Sequence, residues 1–399
     1  MSRTGSRIGW VAVTTATVAL ALAGCSTTDS TVDAKAGGSG TAATTCSTKS
    51  PKSGDTAVAA SQNRLGKAAG ASSTWDGPMT GAPVQKRGAT MVFIPYTSTN
   101  AGDVGVGAGF QEAAKALGWD VKVIDGGGSV TSYLAAFDQA LALRPAGIAV
   151  SSFDPNAAEP AFGKAKAAGI PVVGNHTGEG PGPQSTAPSL FTNVTSDPAI
   201  IAQVAADCAL VASGGTAGVT IVGCGSELQI CVTKEKSMND TVKTCGGCSV
   251  LDQHDYPFGE ATQREGGIAS ADLQRFGKKL TYMLSINDVY WDAAIPALKA
   301  AGVGPAGPPL MIAAGDGSPA AFQRIRTGQY QIATVAEPLN EHGWQMADEM
   351  NRALAGQQPS TFVTYPHIVT SENVDSEGGK DNVYDPGNGY RDQFKKIWG

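Results

Sequence analysis

Basic charge and histidine are both scarce in this chain. Lysine and arginine total 29 residues against 35 acidic residues, and the net charge of −6 argues against a surface for nucleic acid. Only four histidines occur, and neither H-E-x-x-H nor G-x-S-x-G is present, so the common signatures of zinc proteases and serine hydrolases are missing. Apolar residues make up 42% of the chain, which is enough for a globular core. We therefore expect a globular protein without nucleic acid as a partner.

The sequence also lacks an apolar run long enough to span a membrane. Residues 10–23 form an apolar stretch of about 14 residues, whereas a spanning helix needs roughly 20. The stretch follows Arg3 and Arg7 and predicts a secretory signal peptide over residues 1–24. Its ending over 22–25, Leu-Ala-Gly-Cys, resembles the lipobox of bacterial lipoproteins, which implies cleavage before Cys25 and lipidation of that cysteine. An ordinary signal peptide with a chance cysteine is the alternative.

Large apolar side chains are rare over residues 26–88, where Ser, Thr, Gly, Ala and Lys dominate. Such a composition is typical of a flexible segment, and we predict a tether over residues 25–88. The remaining part of the chain is long enough for two domains of ordinary size. The sequence thus predicts a globular protein held outside the cytoplasm, at the cell membrane, by a lipid anchor.

Six cysteines remain besides the lipidation candidate, and five of them lie between residues 208 and 248. Outside the cytoplasm such clustering favours structural disulfides. Free buried thiols are one alternative. The spacing of residues 245–248, Cys-Gly-Gly-Cys, also fits a redox or zinc pair, although no second C-x-x-C accompanies it. The sequence leaves the pairing open among Cys46, Cys208, Cys224, Cys231, Cys245 and Cys248.

Strand and helix patterns alternate from residue 89 onward. Short apolar runs at 90–94, 121–124, 147–150 and 171–174 are separated by amphipathic stretches that predict helices. The alternation restarts at a predicted helix over 199–213 and continues to about residue 313. Steps of roughly 25–30 residues are typical of parallel sheets flanked by helices. We predict an α/β protein with two Rossmann-like lobes and a cleft between them.

Polar and aromatic residues follow most of the predicted strands. Ligands of open α/β sheets bind at the carboxyl ends of the strands, so these residues are candidates for a small-molecule site. Asp and Asn suit vicinal hydroxyls, and aromatic rings suit the apolar faces of a sugar. Asn100, Asp154 and Asp288 could equally be helix N-caps. The candidates taken from strand ends are Thr99, Asn100, Asp103, Phe153, Asp154, Asn175, His176, Tyr256, Asn287, Trp291, Asp316 and Glu337.

Several segments carry a family resemblance. Residues 109–119, Gly-Phe-Gln-Glu-Ala-Ala-Lys-Ala-Leu-Gly-Trp, together with 143–150, 165–173, 285–288 and 313–317, resemble type I periplasmic binding proteins, the ribose-binding-like receptors of sugar ABC importers. The resemblance implies three segments that cross between the lobes, near Asn193, Glu337 and Phe362. It places 89–193 plus 338–362 in an N-terminal lobe and 194–337 plus 363–399 in a C-terminal lobe. It also implies an ABC permease as partner, a monomeric state and no catalysis.

The resemblance further implies roles for individual residues. Asn100, Asn287 and Asp316 match ligand-contacting positions of the family. Four other positions carry different residues from those common in the family: Asn175 stands for an aspartate, His176 and Lys234 or Lys236 for arginines, and Glu337 for a glutamine. These replacements favour a polyol or modified sugar over ribose. We expect no cofactor and no metal.

Three other functions fit parts of the sequence. Residues 105–109, Gly-Val-Gly-Ala-Gly, with Asp125 imitate a dinucleotide fingerprint, but Phe110 takes the place of its last glycine. A sugar repressor needs an N-terminal helix-turn-helix, and residues 1–88 predict a signal and a tether instead. A sensor lipoprotein that presents a signal molecule to a membrane receptor remains an alternative. His342 lies on a predicted helix and is expected at the surface.

Overall fold

The computed structural model describes Cys46 and residues 56–70, 73–379 and 381–399. The predicted signal peptide, the lipidation candidate Cys25 and the first part of the predicted tether lie outside the described residues. Within the described part of the chain, no helix combines the length and the apolar character that a membrane span requires.

The first sheet contains five parallel strands in the order β2-β1-β3-β4-β5. Between consecutive strands the chain returns to the edge of the sheet at which the strands begin. Strand β3 is buried over its whole length, as expected where helices cover both faces of a parallel sheet. The strands are β1 (Thr90–Ile94), β2 (Asp120–Val123), β3 (Gly147–Ser151), β4 (Val172–Asn175) and β5 (Thr192–Val194). The helices before and between them are α1 (Thr56–Ala68), α2 (Ala101–Leu117), α3 (Val130–Ala142) and α4 (Pro155–Ala167).

The second sheet has the order β11-β10-β9-β8-β6-β7, and only the pair β10–β11 is antiparallel. Its strands are β6 (Gly218–Gly223), β7 (Ser249–Asp255), β8 (Tyr282–Ser285), β9 (Leu310–Ala313), β10 (Gln331–Ala336) and β11 (His367–Thr370). The accompanying helices are α5 (Pro198–Ala212), α6 (Gln229–Lys243), α7 (Ala261–Phe276), α8 (Tyr290–Ala300), α9 (Pro319–Arg326), α10 (Leu339–Leu354), α11 (Val374–Glu377) and α12 (Tyr390–Trp398).

The two sheets define two lobes, which confirms the predicted fold class. Helix α10 follows a strand of the second sheet but packs on α2 and on strands of the first sheet. We call the first sheet with α2, α3, α4 and α10 the N-terminal lobe, and the second sheet with α5 to α9 and α11 the C-terminal lobe. The chain passes between them at 195–197, at 337–338 and again between α10 and β11.

The structure differs from the predicted tether over part of its length. Helix α1 packs on α5 of the C-terminal lobe, where Arg64 Nε and Nη2 donate to the buried carboxylate of Asp207 at 2.7 and 2.6 Å. Trp75 then packs against Phe394 of α12, on the N-terminal lobe, with 5.1 Å between ring centroids. The composition of this segment, which is poor in large apolar residues, did not predict these contacts. The segment is held by a few specific contacts and not by a large apolar surface.

The C-terminal helix also differs from its predicted place. Helix α12 packs on α10 and α2, and Trp398 stacks on Trp344 with 5.5 Å between ring centroids. Trp398 Nε1 donates to Asp348 at 2.8 Å. Residues 390–398 therefore belong with the N-terminal lobe, and not with the C-terminal lobe to which the prediction assigned 363–399.

All six described cysteines form disulfides, which confirms the favoured interpretation. The pairs are Cys46–Cys208, Cys224–Cys231 and Cys245–Cys248. The first pair ties the segment before α1 to α5. The second closes a short loop between β6 and α6, and the third closes the turn after α6. The C-x-x-C pair is thus oxidised to a disulfide.

Candidate functional site

A cavity lies between the two lobes, at the carboxyl ends of both sheets. Its empty volume, which includes space open to solvent, is about 390 Å³. The N-terminal lobe contributes Tyr96, Asn100, Ser152 and His176 to its lining. The C-terminal lobe contributes Leu228, Ile230, Cys231, Lys234, Phe258, Ile286, Asn287 and Asp316.

Asp316 follows β9 and faces the first turn of α2 across the cavity. Asn287 Nδ2 donates to Asp316 Oδ2 at 2.7 Å, so the amide orients the carboxylate. The contact to the other lobe is close, because a Cβ placed on Gly102 would lie 2.0 Å from Asp316 Oδ2. The neighbouring Asp288 has a different role: its Oδ2 accepts the backbone N–H groups of Gly317 and Ser318 and holds the loop. Asp316 can therefore accept hydrogen bonds from a bound hydroxyl while touching both lobes.

A buried charge network lies behind the cavity at the crossing 337–338. His176 Nε2 is 3.0 Å from Glu337 Oε2, and Lys234 Nζ is 3.9 Å from Glu337 Oε1. Burial opposes the charged form of both members of the pair, yet the Glu337 carboxylate raises the pKa of His176 and His176 lowers the pKa of Glu337 to about 2. Lys234 Nζ also donates to the carbonyls of Ile286 and Ala314, so it ties the ends of β8 and β9 together. The network supplies donors to the cavity, and its two cationic groups are balanced by Glu337 together with Asp316, which also acts on His176.

Asp103 supports the N-terminal lobe's part of the lining. Its Oδ1 accepts the hydroxyls of Ser151 at 2.6 Å and of Ser152 at 3.0 Å. Burial raises the pKa of Asp103 to about 6, against the opposing effect of the two serine hydroxyls. Asn175 lies beside it, where its amide donates to the Val194 carbonyl and its Oδ1 accepts from Ser151. Asp103 and Asn175 thus position Ser152 and do not line the cavity themselves.

The structure brings five of the predicted site residues to the cavity lining and places three behind it. Asn100, His176, Lys234, Asn287 and Asp316 line the cavity, while Asp103, Asn175 and Glu337 support them. Asn100 is also an N-cap, since its side chain accepts from Gly102 N at 2.8 Å. Asn100 is therefore both a helix N-cap and a residue of the cavity lining.

Six other predicted site residues lie away from the cavity lining. Phe153 stacks on Tyr133 in the core, and Asp154 caps α4 through Ala157 N. The buried Tyr256 hydroxyl donates to Glu265 at 2.6 Å, and Trp291 is fully buried. Thr99 is exposed at a neighbouring pocket, and Lys236 is exposed and paired with Asp240. Position after a strand does not distinguish a ligand contact from a cap or a core residue, because all three occur there.

The search for polar residues missed the aliphatic part of the lining. Leu228, Ile230 and Ile286 follow strands or begin a helix, but an aliphatic residue there gives no signal of binding. Glu227 also follows a strand but was not selected as a candidate, although its carboxylate accepts the Tyr96 hydroxyl of the other lobe at 2.8 Å. The expectation for His342 is wrong as well: this residue is fully buried at the crossing, and its Nε2 is 2.6 Å from Thr364 Oγ1.

Two groups of side chains have donor atoms close enough to share a metal ion among the described residues. They are His176, Glu337 and His342, and Asp252, His254 and Asp272. In the first group the ammonium of Lys234 stands near Glu337 and opposes a further cation. In the second, His254 Nε2 lies 3.0 Å from both oxygens of Asp272 and Arg275 pairs with Asp252. The pairs His176–Glu337 and His254–Asp272 account for part of each group, while His342 Nδ1 and Glu337 Oε1 are buried without a hydrogen-bond partner among the described residues.

Two lobes that enclose a polar cavity at their strand ends define a solute-binding protein. A family model described as a periplasmic binding protein domain matches residues 91–358. The chain therefore belongs to the periplasmic binding protein family, and its fold is that of type I. No curated protein sequence matches the chain.

Solved structures of solute-binding proteins share this fold at low sequence identity. An Agrobacterium vitis ABC transporter solute-binding protein with bound allitol has 19% identity and a TM-score of 0.63, covering 73% of this chain and 98% of its own. A second A. vitis protein, bound to α-D-tagatopyranose, has 17% identity and a TM-score of 0.66, covering 74% and 99%. A Mycobacterium smegmatis protein with bound glycerol has 16% identity and a TM-score of 0.62, covering 74% and 99%.

Proposed function

We propose that this protein is an extracytoplasmic, lipid-anchored solute-binding protein of an ABC importer, and that it binds a sugar or polyol between its lobes. The observation that carries the proposal is the convergence of hydrogen-bonding side chains from both lobes on one cavity. Allitol, tagatopyranose and glycerol are the molecules bound by three proteins of the same fold. The lipid anchor rests on residues 22–25 and the permease on the family.

A neutral ligand with several hydroxyls fits the charges at this site. The ion pair of His176 with Glu337 and the bonds of Lys234 to backbone carbonyls satisfy the charges within the protein. Asn100, Asn287 and Ser152 offer both donors and acceptors, which is what a hydroxyl requires. A buried polar ligand needs most of its groups satisfied, and amides and hydroxyls on both sides meet this requirement.

Hinged closure gives the binding mechanism. Tyr96 to Glu227 and Gly102 to Asp316 are contacts between the lobes at the rim of the cavity, so the lobes are closed upon each other. Movement about the three crossings would open the cavity to solvent. A ligand that contacts both lobes stabilises the closed form through its greater affinity for that form.

A thermal-shift panel of pentoses, hexoses and polyols tests the proposal. A ligand of micromolar affinity at millimolar concentration adds roughly 4 kcal/mol to the free energy of unfolding. If no carbohydrate changes the melting temperature, the proposal is wrong. Calorimetry with a ligand found in the panel then tests the site: Asp316→Ala should weaken binding about ten-fold or more, since a charge-assisted hydrogen bond is worth roughly 1.5–3 kcal/mol.

The matched control is Asp138→Ala, because Asp138 lies on the exposed face of α3 and its side chain is 61% exposed. This variant should bind the same ligand as tightly as the unchanged protein. The importer role is tested separately by uptake of the labelled ligand in cells that lack the protein. Unchanged uptake in those cells, with binding intact in solution, would contradict transport and leave ligand binding standing.

A further inference from the structure

The C-terminal lobe contributes an apolar part of the cavity lining. Leu228, Ile230 and Ile286 are exposed there over only 4% to 7% of their surface, and Phe258 adds an aromatic ring. All four belong to the C-terminal lobe, whereas the N-terminal lobe presents Asn100, Ser152 and His176. We call Leu228, Ile230, Ile286 and Phe258 the aliphatic wall. The lining of the C-terminal lobe thus combines this apolar wall with the polar side chains of Lys234, Asn287 and Asp316.

We propose that the ligand carries a methyl group against this wall, and that a 6-deoxyhexose is preferred over the hexose with a hydroxyl at the same carbon. The inference rests on the proposed function, since it specifies the class of sugar. A hydroxymethyl group facing the wall would give up its hydrogen bonds to water, and the wall side chains offer no polar atom in return. A methyl group there gains favourable apolar contact instead.

The loop between Cys224 and Cys231 carries Leu228 and Ile230 of the aliphatic wall, and several contacts hold it in place. The disulfide between Cys224 and Cys231 closes the segment that includes Leu228 and Ile230, and Cys231 itself lines the cavity. Glu227, at the middle of this loop, accepts the Tyr96 hydroxyl and the backbone N–H of Phe258. Because this loop is fixed at both ends and at its centre, Leu228 and Ile230 do not easily move apart to let water reach a buried hydroxyl. The discrimination against that hydroxyl therefore persists in the closed form.

Matched pairs of sugars test the preference in the unchanged protein. Titration calorimetry would compare L-fucose with L-galactose, D-fucose with D-galactose, L-rhamnose with L-mannose, and 6-deoxy-D-glucose with D-glucose. For the pair that binds most tightly, we expect the deoxy sugar to bind about ten-fold or more tightly than its partner, in the range that one small group in an apolar pocket supplies. Equal affinity, or a preference for the hydroxylated sugar, would overturn the proposal and leave sugar binding intact.

A substitution in the wall tests whether the wall is the cause. Leu228→Asn keeps the approximate size of the side chain and adds a donor and an acceptor, so it should reduce the ratio of the two affinities to about three-fold or less. Val232→Asn is the control, because Val232 is 40% exposed and lies one residue beyond the loop. It should leave the ratio unchanged.

The affinities for the deoxy sugar and for its hydroxylated partner are both measured on the same variant. A loss of affinity that is equal for both sugars therefore leaves their ratio unchanged. Should Leu228→Asn fail to fold, Ile230→Thr provides the same test. An unchanged ratio in the folded wall variant would contradict the assignment to the wall. Absence of binding to every carbohydrate of the panel would instead overturn the proposed function and this inference with it.

Discussion

The Tyr96 hydroxyl donates to Glu227 Oε1 across the cleft at 2.8 Å, and this bond links the end of β1 to the loop between β6 and α6. Both residues lie at the rim of the cavity, so the bond exists only when the lobes are closed. The second oxygen of Glu227 accepts the backbone N–H of Phe258 within the C-terminal lobe. Glu227 thus connects closure of the lobes to the position of the aliphatic wall.

Replacing Tyr96 by phenylalanine removes the bond between the lobes and keeps the ring. In the open form water satisfies Glu227, so we expect a net loss of about 1 kcal/mol for the closed form, or roughly five-fold weaker binding. The loss should appear as faster ligand dissociation in stopped-flow measurements. Tyr330→Phe is the control, since Tyr330 donates to the Val303 carbonyl at the same 2.8 Å but within one lobe. Equal effects of the two variants on affinity would contradict a role in closure.

Gly102 is a second point at which closure can be tested. A methyl group at this position would lie 2.0 Å from Asp316 Oδ2, so either the Asp316 carboxylate must leave its place in the cavity or the lobes must stay further apart. Gly102→Ala should therefore weaken ligand binding about ten-fold or more while the unfolding temperature without ligand stays nearly unchanged, because the clash lies between lobes that can separate. Gly163→Ala is the control, as its nearest neighbour would be 3.8 Å away. Small-angle scattering of Gly102→Ala should show a more open molecule.

The disulfides at the two ends of α6 should differ in how their removal affects ligand binding. Replacing Cys224 and Cys231 by serine releases the loop of the aliphatic wall and should weaken ligand binding about ten-fold, because binding must then order the loop. The control is the double serine variant at Cys245 and Cys248, which lie at the opposite end of α6, about 20 Å from its beginning. That variant should bind ligand normally, as calorimetry will show. Loss of affinity in both variants would indicate a general effect on the fold.

The pair of His176 and Glu337 predicts how stability depends on pH. The pKa of Glu337 is lowered to about 2, so its contribution is present above its unfolded pKa and is lost as the pH falls toward 2. The pKa of His176 is raised, so its contribution is present below its unfolded pKa and is lost as the pH rises through the folded value. The pair therefore stabilises most between about pH 4.5 and 6.5, where both groups are charged in either state.

Urea unfolding of Glu337→Gln checks this dependence. Near pH 5.5 the variant should lose about 3 kcal/mol of unfolding free energy, because it leaves a buried cation without its partner. The difference from the unchanged protein should become smaller at pH values above the folded pKa of His176, where the imidazole is neutral. A difference that stays constant as the pH rises from about 5.5 until the His176 imidazole has lost its proton would contradict the ion pair. Glu179→Gln, at an exposed position, is the control.

Local sequence patterns predicted the alternation of strands and helices well. The apolar run at 90–94 became β1, and the amphipathic stretch after it became α2, whose residues 110, 113, 114 and 117 are buried. Helix α2 begins at Ala101, where the side chain of Asn100 caps it through Gly102 N. Burial every second, third or fourth residue is a local property, and it is therefore visible in one sequence.

Contacts between distant parts of the chain were not visible in the same way. Asp154 and Asp316 both follow strands, yet the first caps α4 and the second faces the other lobe across the cavity. The wall around Leu228 and the bond from Tyr96 to Glu227 join residues whose types alone do not indicate a site.

The sequence by itself determined the two-lobed α/β architecture, the disulfide-rich middle segment and the strand ends at which a ligand is expected, because periodicity and composition are local properties. Only the tertiary structure decided which strand-end residues line the cavity, how the cysteines pair, and that α1 and α12 each pack on the lobe far from them in sequence. The physical reason is that burial, hydrogen bonding and charge pairing depend on distances in space, which the folded chain alone specifies.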